Sequence, residues 1–457
     1  MTMQTQVPEL IRAQRWQELR AELADTNSSD IADLIIALPP DQEAFVFRLL
    51  PKDRAADVFA YLPADHQEGL IESLSNEQVR SVMESLPPDD RTRLLEEMPA
   101  EVTRRLLATL SPDELKHARV LLGYPEETAG RYMTPRYVTV QPDMSAAEAL
   151  EHIRRTGKRM ETVNVVYIVD TNGILVDDLR LESIVMSDPQ TKVTDIEDPP
   201  LVAVRATDDR EEALSVFERY DRVALPVTDA EGHMLGIVTV DDMLDVAEQE
   251  ATEDIQKLGG MEALDAPYLQ VDLWSMVRKR AGWLSALFLG EMLTATAMSY
   301  FEIEIAKAVV LALFVPLIIS SGGNSGSQAT SLIIRSLALR ELRLRDWWRV
   351  FRREIISGVA LGSLLGAIGF LRIVLWEHLH FTEYGRHYML VALTVWFALI
   401  GVVTFGTVAG SMLPFLLRRL GFDPATSSAP FVATLVDVTG LCIYFTVALI
   451  ILRGTLL

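Results

Sequence analysis

Residues 316–330 read PLIISSGGNSGSQAT, an apolar run that passes directly into a stretch of Gly, Ser, Asn and Gln. A helix broken at such a stretch would leave backbone amides and carbonyls without partners in lipid. Irregular backbone is tolerated at membrane depth only where it lines a water-filled cavity or is covered by protein. We therefore predict that an apolar membrane span ends in a break at residues 320–328.

Five apolar stretches are long enough to cross a bilayer. They lie at about 282–301, 305–320, 355–376, 388–417 and 429–452. Arg and Lys accumulate on one side of these spans, at 278–280, 335–353 and 418–419, and the other loops are acidic or mixed. Because cytoplasmic loops carry the excess of basic residues, we predict that the N-terminal region is cytosolic and that the end after Arg453 is outside.

The remainder of the chain is acidic. The 457 residues carry a formal net charge of −22, which comes from the part that precedes the spans. An acidic domain repels phosphate backbones, which argues against nucleic acid as a partner. Cys442 is the only cysteine, so a disulfide framework and a thiolate metal site are excluded. Residues 1–20 lack the apolar core of a signal peptide and indicate a short amphipathic helix.

A repeat of about twelve residues occupies 38–122. Its marker positions are Leu38, Leu50, Leu62, Leu74, Leu86, Met98 and Leu110. Each marker is followed by Pro or Ser and then by an acidic or polar turn, a pattern typical of the start of a helix. One copy supplies about two helical turns, too few to be stable alone, so the copies must stack. We predict an all-α superhelical scaffold domain over residues 1–123.

Between residues 130 and 250 the pattern changes to short strands and helices. Two apolar strands, at 163–169 and 223–228, each follow an amphipathic helix and lead into a polar turn. This arrangement resembles a tandem pair of cystathionine-β-synthase-type (CBS) modules of the α/β class, which we place at 124–195 and 196–250. Such modules usually pair into a disc that binds a regulatory ligand.

The second module ends in GIVTVDD, residues 236–242, which is similar to the stretch that holds an adenosine ribose in many CBS modules. This resemblance makes Thr239 and Asp242 candidate contacts for an adenine nucleotide. In the first module residues 175–180 read LVDDLR, with acids where these modules usually carry Gly and Ser or Thr. That departure counts against a nucleotide site.

The segment after the second module is a run of acids without a basic residue before Lys257. The acids are Asp241, Asp242, Asp245, Glu248, Glu250, Glu253 and Asp254. On a helix they share two neighbouring faces, where carboxylates roughly 8 Å apart repel by about 2 kcal/mol at a dielectric constant near 20. Because Mg2+ prefers oxygen ligands, we predict regulatory metal binding here. A connecting (plug) helix at 251–273 would link this segment to the first span; a merely solvated acidic helix is the alternative.

Residues 435–440 read LVDVTG and place Asp437 about eight residues into the last span. An acid at this depth costs commonly a few kcal/mol and indicates a functional site. The sequence has no Lys or Arg within two helical turns of it. Glu291, in the middle of the first span, is a second intramembrane acid, which either lines a pore or is hydrogen-bonded at a helix interface.

Four motifs together resemble the MgtE family of Mg2+ channels. They are PLIISSGGNSGSQAT at 316–330, RSLA at 335–338, DPA at 423–425 and DVTG at 437–440. The domain order also matches: helical repeat domain, two CBS modules, acidic connecting helix, and an all-α transmembrane domain of five helices at 274–457. The resemblance implies a multidomain homodimer among the lipids of the (inner) cell membrane. Its pore would lie on the two-fold axis, closed by the cytosolic region when intracellular Mg2+ is high.

By the same resemblance, Asp437 holds hydrated Mg2+ in the pore, and the carbonyl of Ala433 contributes. Ala429 stands where the family often has Asn, so passage of Mg2+ is implied more firmly than strict selectivity. A broader channel for Mn2+, Co2+ or Ni2+ is the main alternative, since carboxylate and water ligands do not exclude these ions. An ion-coupled carrier is less favoured, because no second half repeats the spans. A membrane enzyme is disfavoured, because the histidines at 378–387 lack metalloprotease spacing.

Overall fold

The computed structural model describes residues 3–13, 15–264, 268–269 and 271–456. The chain divides into two compact units, Met1–Glu248 and Gln249–Leu457. The first unit contains a helical domain followed by two small α/β modules, and the second contains five long apolar helices. The predicted fold class, with helical, α/β and membrane parts in this order, is confirmed.

The N-terminal domain consists of short helices. In the described residues they are α1 Met3–Arg12, α2 Trp16–Asp25, α3 Ser28–Ile36, α4 Pro40–Leu49, α5 Lys52–Ala60, α6 Ala64–Ser73, α7 Asn76–Ser85, α8 Pro88–Glu97, α9 Ala100–Thr109 and α10 Pro112–Leu121. From α4 onward each helix begins twelve residues after the previous one. Pro stands in the first turn of α4, α8 and α10, and serine capping boxes begin α7 and α10. The predicted helix starts are therefore in register with the repeat.

The markers of the repeat hold this stack together. They stand within two residues after a helix end, and all except Leu110 are buried. α3 packs on α5, α5 on α7 and α7 on α9, and in the same way α4 packs on α6 and α8 on α10. Successive helices thus alternate between two rows, which is the predicted superhelical domain.

Two three-stranded sheets follow, with identical topology. Their strands are β1 Thr139–Val140, β2 Val165–Val169, β3 Leu175–Arg180, β4 Val204–Arg205, β5 Ala224–Thr228 and β6 Met234–Thr239, and their helices are α11 Ala146–Thr156, α12 Leu181–Met186 and α13 Arg210–Tyr220. In each sheet the first pair of strands is parallel and the second pair is antiparallel. Backbone bridges join Ile174 to His233 and Thr134 to Ile237, so the modules form one pair.

The connecting helix, predicted over 251–273, has different bounds in the structure. α14 spans Val240–Leu258, begins directly after β6 and contains all seven acids. It does not extend over 251–273, because Gly259 and Gly260 follow it and Gly260 has a φ of +73°. The next helix begins at Leu273, where Asp272 accepts hydrogen bonds from two backbone amides of the first turn.

The second unit is built from five long apolar helices and one short α-helix among its described residues. They are α15 Leu273–Tyr300, α16 Glu302–Lys307, α17 Val315–Ala338, α18 Trp347–His378, α19 Tyr388–Arg419 and α20 Ala429–Leu452. In the described part of the chain five segments are long and apolar enough to cross a membrane; the second of them runs from Val309 to Ala338. α19 packs on α17, α18 and α20, whereas α15 lies against α20 and has no buried residue.

The predicted break at residues 320–328 is wrong, because α17 is continuous through them. The glycines serve close packing instead. A Cβ on Gly322 would lie 2.5 Å from a methyl of Val402 on α19 and 2.8 Å from a methyl of Val436 on α20. Small residues let helix backbones approach while every backbone hydrogen bond stays within the helix. The second span therefore continues to Ala338 and does not end near residue 320.

We expect Gly322→Val to destabilise the membrane unit, since its side chain overlaps both neighbouring helices and overpacking costs about 1–3 kcal/mol. The thermal unfolding temperature of the purified protein in detergent should fall. Gly282→Val on α15 is the matched control, because the nearest atom to a Cβ there is 4.0 Å away. Equal unfolding temperatures for the two variants would contradict this account of the glycines.

Candidate ion sites

Acids from α8 and α14 meet in the first unit. Asp89 of α8 lies beside Asp242 of α14, close enough for the two carboxyls to act on each other. The neighbouring Asp90 is close enough to Asp241 and Asp245 for their charges to interact. Glu161, from the segment before β2, lies near the same groups. We call this set the acidic cluster: Asp89, Asp90, Glu161, Asp241, Asp242 and Asp245.

Burial governs the protonation of the acidic cluster. It raises the pKa of Asp89 to about 7, and the charges of Glu161 and Asp90 add to this effect. Burial and the charge of Asp242 raise the pKa of Glu161 to about 7. Burial and the charge of Asp89 raise the pKa of Asp242 well above its ordinary value. Among the described residues, Oδ1 of Asp89 has no hydrogen-bond partner. These carboxyls therefore favour a proton or a cation.

The sequence identified only half of the acidic cluster. Asp241, Asp242 and Asp245 are among the predicted regulatory acids, and Glu248 is exposed further along α14. Asp89 and Asp90 were missed because they read as an ordinary helix start within the repeat. One available signal is that residues 89–90 form the one pair of consecutive aspartates in the repeat. No pattern singles out Glu161, which only the fold brings to this place.

Thr239 and Asp242, the predicted nucleotide contacts, lie next to each other. Oγ1 of Thr239 donates a hydrogen bond of 2.6 Å to Oδ2 of Asp242. In the first module Arg180 holds the register position of Thr239, and Ser183 follows it by three residues, as Asp242 follows Thr239. The side chains of both donate to Asp198, over 2.7 Å and 3.3 Å. The first module thus carries an internal ion pair where the second carries the hydroxyl and the acid.

The last turns of α14 bring a second group of acids to the membrane unit. Nζ of Lys257 donates to Glu253 over 2.6 Å and to Asp423 over 2.7 Å. Burial, followed by the charge of Asp423, raises the pKa of Asp254 to about 6, and Glu250 adds to this group's negative charge. Asp423 also accepts the amide of Ala425 in the turn that precedes α20. The end of the acidic helix therefore contacts the segment that leads into the last span.

Polar groups lie along one side of α17 and α20. Asp437 on α20 is half-buried, and the exposed Glu291 on α15 is close enough for the two charges to interact. Ala433, one turn before Asp437, lies beside Gly323 of α17. A Cβ added to Gly323 would be 3.5 Å from the Cβ of Ala433. Oγ of Ser327 donates to the carbonyl of Ala429 over 3.3 Å.

α17 itself supplies polar side chains that the sequence analysis assigned to a break. Asn324 and Gln328 are exposed one turn apart on this helix. Exposed amides and an intramembrane acid are costly against lipid, so such a face has to meet water or protein. The face formed by α17 and α20 is consequently the candidate ion path.

Family models match the helical domain, both α/β modules and most of the membrane unit. The model described as a divalent cation transporter (MgtE) matches residues 315–447, the MgtE intracellular N domain matches 26–127, and the CBS domain matches 129–185 and 193–248. The chain is therefore a multi-pass membrane protein of the divalent cation transporter class, and not an enzyme.

Two relatives with similar sequences show which family the chain belongs to. The magnesium transporter MgtE of Thermus thermophilus is 42% identical over 347 residues, which cover 76% of this chain and 74% of the relative. That of Enterococcus faecalis is 32% identical over 342 residues, covering 75% and 73%. The chain belongs to the MgtE family, as its motifs predicted.

Two solved structures are similar to the first unit. The cytosolic domain of the Mg2+ channel MgtE in complex with ATP has a TM-score of 0.51 and 34% identity, and the match covers 53% of this chain and 100% of that one. The soluble part of a magnesium transporter has a TM-score of 0.51 and 26% identity, covering 54% and 98%. The helical domain and the CBS pair thus recur in soluble parts of such proteins.

Acidic pH should stabilise the ion-free protein. The raised pKa values of Asp89 and Glu161 lie above the ordinary carboxyl values of about 4. Their protonation therefore stabilises the folded state at low pH, and that stability is lost as the pH rises through about 7. Without divalent cations, the thermal unfolding temperature should fall between pH 5 and pH 8.

Asp89→Asn tests this effect, because an amide cannot ionise. The fall in unfolding temperature should be smaller in this variant than in the natural protein, whereas Asp143→Asn, at an exposed position, should leave it unchanged. A pH profile that Asp89→Asn does not alter would show that this carboxyl does not titrate in the proposed range.

Proposed function

We propose that this protein is a Mg2+ channel that mediates magnesium uptake and is closed by cytosolic Mg2+. The observation that carries the proposal is the polar face of α17 and α20 with Asp437 in its middle, inside an otherwise apolar unit. The relatives bear the name magnesium transporter, which supports Mg2+ as the transported ion. The basic loops favour an N-terminal region in the cytosol and a C-terminal end outside the (inner) membrane.

The proposed pore needs a second copy of the chain. In the single chain α15 has no buried residue, and Glu291 and Asn324 are exposed at membrane depth. A homodimer with its axis along the α17–α20 face would cover these groups and place two Asp437 carboxylates opposite each other. Two facing carboxylates attract a hydrated divalent cation, and Mg2+ keeps much of its water when it binds. The carbonyl of Ala433, one turn away, would accept hydrogen bonds from that water.

Asp437→Ala should abolish Mg2+ flux without unfolding the protein, because the pore loses the charge that offsets partial dehydration of the ion. Flux is measured with a Mg2+-sensitive dye inside liposomes that contain the purified protein. Asp437→Glu should impair flux less than the Ala variant does. Undiminished flux through Asp437→Ala would place the ion path elsewhere, and Glu291→Gln would be the variant to examine next.

Selectivity is the part of the proposal with a specific alternative. At Ala429 the chain offers only a backbone carbonyl, which already accepts from Ser327, so one side-chain contact to the ion's water shell is missing. A broader channel for Mn2+, Co2+ or Ni2+ is therefore the second candidate function. Competition of these ions with Mg2+ in the same liposome assay separates the two.

The proposed gate uses the acids of α14. Several pair repulsions of about 1–2 kcal/mol each oppose the packing of α8 on α14 and of Asp254 beside Asp423. Mg2+ bound between the carboxylates removes this repulsion. A ligand shifts a two-state equilibrium by its differential affinity for the two states, so several ions together can close the channel.

Replacing Asp242, Asp245, Glu248, Glu250 and Asp254 by Ala should leave a channel that conducts. Its closure by millimolar cytosolic Mg2+ should be lost, because the ligands are gone. Flux measured against internal Mg2+ gives the closing curve of each protein.

The control carries five Ala substitutions at exposed acids outside α14, namely Glu72, Glu77, Asp143, Glu151 and Glu218. It removes the same number of acidic side chains and should close as the natural protein does. If the closing curve of the α14 variant superimposes on that of the natural protein, the acidic helix is only a solvated surface.

An adenine nucleotide is a candidate modulator of this gate. One relative's cytosolic domain was solved with ATP. In this chain a ribose at Thr239 and Asp242 would compete with their mutual hydrogen bond and with the contact between Asp242 and Asp89. A nucleotide bound there would therefore act on the same cluster as Mg2+.

A further inference from the structure

One cation of the protein itself lies within the acidic cluster. Arg93, one turn along α8 from Asp89, donates from one guanidinium nitrogen to Asp90 over 2.8 Å. From the other it donates to Asp245 of α14, also over 2.8 Å. Glu97 is close enough for its charge to act on the same guanidinium. Arg93 thus joins the helical domain to the acidic helix through two carboxylates.

This contact has the geometry that a bridging ion would otherwise supply. Asp90 and Asp245 belong to different domains, and each is near further acids. A planar guanidinium presents its donors in a fixed fork and can bind two carboxylates at once. Unlike a bound ion it is covalently attached, so it is present at every Mg2+ concentration.

The part of the acidic cluster formed by Asp89 and Asp242 differs from the part bridged by Arg93. Asp89 and Asp242 lie beside each other, and among the described residues no Lys or Arg makes a hydrogen bond or an ion pair with either carboxylate. Oδ1 of Asp89 lacks a hydrogen-bond partner among the described residues. A cation or a proton is therefore favoured at Asp89 and Asp242, whereas the charge between Asp90 and Asp245 is partly offset by Arg93.

We propose that Arg93 takes the place of one regulatory cation: in the closed arrangement the guanidinium bridges Asp90 and Asp245 without a bound ion and leaves the Asp89–Asp242 part to bind Mg2+. The inference rests on the proposed closure by cytosolic Mg2+ and deepens it. Its consequence is that this chain closes at a lower Mg2+ concentration, and with fewer ions, than the number of acids in the cluster suggests.

The experiment compares closing curves of the full-length protein in liposomes. Arg93→Gln should shift the midpoint of closure to higher Mg2+ by about twofold to tenfold, a moderate change because the pair is partly exposed; the side chain of Asp245 is 58% exposed. Arg93→Asp should shift the midpoint further and make the curve steeper, since the new carboxylate creates a place for an additional ion. Arg104→Gln, an exposed arginine on α9, is the matched control and should change neither.

The outcomes separate the inference from the function on which it rests. If the natural protein closes with Mg2+ and the Arg93→Gln curve superimposes on it, the bridging role of Arg93 is overturned. If the natural protein conducts but shows no closure by Mg2+, the proposed gate fails instead. Arg93→Lys keeps the charge but loses the fork, so its midpoint should lie between those of the natural protein and Arg93→Gln. This variant also provides the comparison if Arg93→Gln does not fold.

Discussion

Carboxylates of α8 and α14 lie against one another with too little positive charge between them, and the arrangement of the first unit depends on how that repulsion is offset. Asp89 and Asp242 lie beside each other, and two ionised carboxylates in this position repel each other. Protons, divalent cations and the guanidinium of Arg93 are three ways to offset the same charge. Under the proposed gating, the packing of the helical domain on the second module would depend on the concentrations of protons and divalent cations.

In the membrane unit, close helix packing and polar side chains occupy different faces of α17. Gly322 and Gly326 remove side-chain bulk where α17 meets α19 and α20, and the amides of Asn324 and Gln328 point away from that contact and are exposed. One helix thus carries a tightly packed face and a polar face. Asp423, held by Lys257 from the end of α14, stands directly before the helix that carries Asp437.

The sequence predicted those features that depend on local periodicity. The twelve-residue repeat gave the start of every helix from α4 to α10, because Pro and acidic residues favour the first turn whatever the helix packs on. The long apolar runs predicted the five spans, because the length and hydropathy of a segment are also local properties of the sequence. The pattern at 320–328 was misleading: glycine breaks an isolated helix, yet it also permits close helix packing, and only the neighbours Val402 and Val436 decide between these roles. Arg93 and Asp245 are 152 residues apart, so no local pattern could have joined them.

Because the helices alternate between two rows, the number of repeats that the helical domain can gain or lose is restricted. α8 carries Asp89, and α9 and α10 separate it from the first module. Because successive helices occupy opposite rows, one added or lost repeat between α8 and the module would turn the acids to the opposite side of the stack, whereas two would restore their row. The domain can therefore change length freely upstream of α8, but downstream its growth is confined to even numbers of repeats. A scaffold built from interchangeable units thus contains one stretch where the units are not interchangeable.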